Sequence, residues 1–120
     1  MIVISVGADQ ELLRLREWVL TTAGFDVFST TAPGAARSEF RKRPGSVLLV
    51  CHSLAADDAE QLARDFRRTQ RHARVIVITN EKLPAKPSYA DAFVYGIEGP
   101  EALINAIRGS ETMGPHSDAA

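Results

Sequence analysis

The chain has 120 residues, a formal net charge of −1 and one cysteine. That length suits one domain with a single proper core. The near-neutral charge argues against an overall field that recruits nucleic acid or an anionic membrane, and a lone cysteine excludes an internal disulfide.

The first run, Ile2 to Val6, is β-rich and bounded by Gly7, which reads as a tight turn after a buried strand. The stretch Met1–Val6 has no basic n-region and is too short for the apolar core of a signal peptide, so none is expected in it, and no apolar run approaches the ~20 residues needed to span a bilayer. A cytoplasmic location is expected. Asp9 is placed as an N-cap, with Gln10 and Glu11 in the first turn of a helix. Leu12, Leu13, Arg16, Val19, Leu20 and Ala23 follow at helical spacing, and Gly24 is the stop signal. Trp18 lies off that stripe and reads as a partly exposed packing residue.

Phe25 to Ser29 reads as a second strand. Thr30 or Thr31 is expected to cap a second helix with Pro33 in its first turn, ended by Pro44 and Gly45. Val47 to Val50 is apolar without alternation, the pattern of a parallel strand covered on both faces. It runs straight into Cys51, His52 and Ser53. Asp57 and Asp58 are expected to cap and open a third helix whose inner face is Ala59, Leu62, Ala63 and Phe66. Val75 to Ile78 is again fully apolar, within a strand from Arg74 to Thr79. Residues 80–88 hold two prolines and no helical stripe, so they read as a loop. Ala92 to Tyr95 is expected at a sheet edge. Pro100 opens a last helix facing inward with Leu103, Ile104 and Ile107 and ending at Gly109. The domain is therefore expected to span 1–109, with 110–120 a flexible tail.

Strands and helices alternate through short connections. That implies a parallel sheet with helices on both faces, and five strands point to the flavodoxin-like order 2-1-3-4-5. In that order Gly7, Ala8 and Asp9 should face Cys51, His52 and Ser53 across the crevice.

Three local stretches then carry a family resemblance: Asp9–Arg14, Ala23–Val27 and Pro100–Leu103. With the element order over residues 1–108, they make the chain similar to the CheY-like receiver domain of bacterial response regulators in two-component phosphorelays. The resemblance implies a three-layer α/β sandwich in which the usual fourth helix is shortened or missing here. It also implies phosphoryl transfer to an aspartate at the end of strand three, supported by Mg²⁺ on an acidic pair, a lysine, a Thr or Ser, and a switch aromatic. Carried over position by position, the acidic pair falls on Gly7 and Ala8, leaving Asp9. The phosphoacceptor falls on Cys51, or on Val50 if the preceding turn is counted differently. The lysine falls on Gly96. Thr79 and Phe93 remain.

The expected function is a non-catalytic pseudo-receiver module that binds a signalling protein, with a homodimer as a further option, and is not phosphorylated on aspartate. No catalytic residue, cofactor or metal is expected. Neither His52 with Cys51 nor the distant His72 has metal-ligand spacing, and His116 lies in the tail. Two alternatives are kept. One is a thiol-based redox sensor using Cys51. The other is a nucleic-acid module using the basic stripe Arg64, Arg67, Arg68, Arg71, His72 and Arg74, whose plainer reading is a solvated helix face.

Overall fold

Unbroken apolar runs such as Val47–Val50 can satisfy their backbone groups and bury both faces only inside a covered parallel sheet. The computed structural model describes residues 2–43, 46–51, 53–70, 72–79, 88–95 and 99–111, with residues 110 and 111 described by backbone alone. The elements, in chain order, are β1 (Ile2–Val6), α1 (Gln10–Thr22), β2 (Asp26–Thr30), α2 (Pro33–Lys42), β3 (Val47–Cys51), α3 (Ala56–Thr69), β4 (Arg74–Thr79), β5 (Ala92–Tyr95) and α4 (Pro100–Glu111). The strands form one parallel sheet in the order β2-β1-β3-β4-β5, as expected from the sequence.

Alternation along each strand divides the core into two layers. Ile2, Ile4, Val6, Leu48, Val50, Val75 and Val77 meet α2 and α3 through Ala36, Phe40, Leu62, Ala63 and Phe66. Val3, Val47, Leu49, Ile76, Ile78 and Val94 meet α1 and α4 through Leu20, Leu103 and Ile107. Phe40 and Phe66 are fully buried and pack edge to face, with ring centroids 5.2 Å apart.

Several local expectations are corrected. The second helix has Ala32 at its N-cap with no side-chain cap. The Thr30 hydroxyl instead accepts the Ala32 N–H (3.0 Å), which orders the turn before the helix. The third helix starts one residue earlier than Asp57, with Ala55 at the cap. Asp57 and Asp58 are first-turn acids that suit the helix dipole, not caps. Helix α4 passes through Gly109 to Glu111, two residues beyond the expected domain limit, because a glycine lowers helix stability by only about 1 kcal/mol. The second strand is displaced by one residue, and Cys51 belongs to β3. Gly24 does adopt a positive φ of 98° after α1, as a helix stop requires.

Between β4 and β5, residues 88–91 form a turn and bend, not a helix. Residues 80–87, read from sequence as loop, lie outside the described residues. Asp91 fixes the start of β5. Its carboxylate accepts the Val75 N–H (2.8 Å) and pairs with Arg67 on α3 (3.0 Å), whose guanidinium also reaches the Tyr89 carbonyl (2.7 Å). Gln70, buried after α3, donates to the Phe40 carbonyl (2.8 Å) and accepts the Ser46 N–H (3.4 Å), joining α2, β3 and α3.

A polar tie between α2 and α3 is the Arg37–Asp65 pair, 2.6 Å and largely shielded. Arg37 holds the Asp65 carboxyl below its ordinary value of 3.8, against the opposing effect of burial. A carboxylate lowered in the folded state stabilises the fold above its unfolded-state pKa, and that contribution disappears as pH falls through the lower folded value. The acid limb of stability, below a pH of about 4, should therefore be shallower in Asp65→Asn than in the parent chain. Urea midpoints measured across that range test this, and superimposable slopes would refute it.

Candidate functional site at the strand ends

The carboxyl ends of β1 and β3 lie side by side, with Val6 opposite Val50. Gly7 continues from β1 directly against Cys51. A Cβ on Gly7 would stand 2.5 Å from Cys51 Cβ and 3.1 Å from Ser53 Oγ. Glycine is needed here for this close approach and not for a turn, since the φ of Gly7 is not positive.

Ser53 closes the gap. Its hydroxyl accepts the N–H groups of Ala8 (2.9 Å) and Asp9 (3.2 Å) and donates to Cys51 Sγ (3.2 Å). That uses the two acceptor sites and the one donor of a hydroxyl. The predicted facing of residues 7–9 and 51–53 is thus observed for Cys51 and Ser53, while His52 lies outside the described residues.

Cys51 is 2% exposed. It pairs with Ile78 in the register and, by alternation, shares the face of Leu49 under α1. Arg16, half-buried on α1, directs a guanidinium N–H to its sulfur (Nη1–Sγ 2.7 Å). The sequence reading placed Arg16 on the inward stripe of α1 without giving it a role. The missed signal is a cation spaced i+4 from Leu12 and i−3 from Val19, on the buried side of a helix.

The remaining acid, Asp9, is already engaged. Its Oδ1 accepts the N–H groups of Glu11 (3.1 Å) and Leu12 (3.2 Å), so it is the N-cap of α1 as expected. Thr79 is buried at the end of β4, but on the face of Val77, opposite that of Cys51. Cys51 and Thr79 therefore leave the sheet from opposite sides. Phe93 is half-buried and stacks edge to face on Tyr95 (5.4 Å). Gly96 lies outside the described residues.

These residues do not fit Mg²⁺. A hard cation requires several oxygen ligands. Gly7 and Ala8 supply no side-chain oxygen, the Asp9 carboxylate caps a helix, and Cys51 offers a soft sulfur beside a fixed positive charge. Among the described residues, no three His, Cys, Asp or Glu side chains gather into a group that could hold a metal.

Burial limits what the thiol can do. Iodoacetamide should modify Cys51 in the native chain roughly 100-fold more slowly than in denaturant, because access requires local opening. Equal rates would show that the strand ends are open.

The α3 arginines are largely neutralised by carboxylates. Arg64 pairs with Glu60 (3.6 Å), Arg67 with Asp91 (3.0 Å) and Arg68 with Asp65 (3.5 Å). His72 is exposed, and Arg71 lies outside the described residues. Among the described residues, the exposed large hydrophobic side chains are Leu15 (56%) and Trp18 (67%), both on α1, so Trp18 is more open than the sequence reading implied. No described helix is long and apolar enough to cross a membrane.

No protein-family model matches the chain, and no curated protein matches it by sequence. Solved structures do match its fold. A CheY-like response regulator receiver domain protein from Methanospirillum hungatei superposes with a TM-score of 0.77 at 16% identity, over 93% of this chain and 97% of that one. A response regulator receiver domain protein from Clostridium thermocellum gives 0.71 at 16% identity, over 90% and 91%. The chemotaxis protein CheY4 of Vibrio cholerae gives 0.70 at 15% identity, over 88% and 94%. At these identities the likeness concerns architecture, and the architecture is that of CheY-like receiver domains.

Proposed function

We propose that this chain is a receiver-like signalling module that acts by binding another protein and takes no phosphoryl group on an aspartate. The observation that carries this reading is the filled strand-end crevice. Cys51 and Ser53 close against Gly7, and the Arg16 guanidinium lies on the sulfur. In the receiver-like register, Gly7 and Ala8 hold the positions of the acidic pair and Cys51 that of the phosphoacceptor. Phosphoryl transfer to such a site needs metal and carboxylates to offset the oxygen charges. Here the one remaining acid is a helix cap. Leu15 and Trp18, outward on α1, support a role in protein contact, since large exposed apolar side chains clustered on one helix mark interaction surfaces.

The thiol-sensor and nucleic-acid readings have weaker support. The thiol is buried, and the α3 arginines face their own carboxylates. Incubation with Mg²⁺ and acetyl phosphate tests the proposal. Intact-mass measurement is expected to find no phosphoryl adduct, whereas a stoichiometric acyl phosphate on an aspartate would overturn it.

A further inference from the structure

A cavity of about 190 Å³ opens between α1 and α4, above the sheet. Leu12, Val19, Ile78, Val94 and Leu103 form its apolar wall, and Arg16 is its charged member. No acidic side chain lines it among the described residues. Pro100, the first residue of α4, also lines it, so the positive end of that helix dipole lies at the cavity together with the guanidinium charge.

The charge on Arg16 is what distinguishes this cavity from a packing gap. Arg37, Arg43, Arg64, Arg67 and Arg68 each have a carboxylate partner. Arg16 is half-buried and has none among the described residues; its recorded contact is the Cys51 sulfur. A shielded cation without a counter-ion is unfavourable, and a guanidinium has five N–H donors, in a geometry suited to a carboxylate.

We infer that this cavity binds a small carboxylic acid with an apolar body, its carboxylate on Arg16 and its body against the leucine and valine wall. The size agrees, since a closed apolar cavity of roughly 150 Å³ already holds benzene. The inference shares Arg16 with the signalling reading, but the cavity lies under α1 and needs neither a partner protein nor a phosphoryl group.

The test is an amide NMR titration of the whole chain with benzoate, benzamide and inorganic phosphate in parallel. Benzoate should give saturable shifts at Leu12, Arg16, Val19 and Leu103. Benzamide, equal in shape but uncharged, should bind at least roughly tenfold more weakly, and phosphate should not shift these amides. In Arg16→Met the difference between benzoate and benzamide should vanish. If that variant does not fold, the parent chain's preference for benzoate decides alone. Absent or non-saturable benzoate shifts, equal binding of benzamide, the same shifts with phosphate, or shifts confined to another surface would each overturn the inference.

Discussion

Phe66→Ala is expected to destabilise the chain by about 3–5 kcal/mol. Phe66 is fully buried on α3 and meets Phe40 of α2 edge to face at 5.2 Å, in the layer that also takes Ile4, Leu48, Val50 and Val75 from three strands. Truncation removes apolar area from the centre of that layer, and its neighbours cannot collapse into the space without moving α2 or α3. The aromatic pair itself adds about 0.5–1.5 kcal/mol beyond area burial. For a domain this small, with total stability of about 5–15 kcal/mol, such a loss leaves a marginal fold. Urea denaturation followed by far-ultraviolet circular dichroism reads the change, and a loss below about 1 kcal/mol would mean the layer is not close-packed.

Gly7→Ala is the second large effect, and it bears on function as well as stability. The added methyl would sit 2.5 Å from Cys51 Cβ, an atom fixed to the backbone of β3, and 3.3 Å from its sulfur. The strand ends must part, at a cost of about 1–3 kcal/mol for overpacking. A larger residue meets the same obstacle first, so Gly7→Asp should not by itself restore an acidic site. Pairing Gly7→Ala with Cys51→Gly removes the opposing carbon, and the double variant should be less destabilised than the sum of the singles. Additive losses in denaturant midpoints would place the clash elsewhere.

The fold was legible because its signals are redundant. The runs Val47–Val50 and Val75–Ile78 could only be covered strands, and Asp9 and Gly24 bracket α1 with a cap and a stop. Helix boundaries were less legible where several residues could serve one role. Thr30 and Asp57 both look like caps, yet backbone geometry gave those positions to Ala32 and Ala55. Gly109 looked like a terminator, but the helix tolerates it.

The candidate site was legible in place and not in content. Strand order alone brought residues 7–9 to Cys51 and Ser53. The roles of Arg16 and Ser53 depend on side-chain reach across 35 and 44–45 residues of sequence, which periodicity does not record. Asp91 was missed for the same reason: its partners are Val75 and Arg67, on other elements. Thr79 is a case of position without placement. It was carried over as a retained position at the end of β4, and strand alternation places it on the face opposite that of Cys51.

The most direct measurement is a titration of the whole chain with beryllofluoride and Mg²⁺, a phosphoryl mimic that needs an aspartate and the metal together, followed by amide NMR. The expected spectrum is unchanged at Gly7, Ala8, Cys51, Ser53 and Thr79 through saturating mimic. Saturable, Mg²⁺-dependent shifts at these strand ends would contradict a filled, non-phosphorylated site.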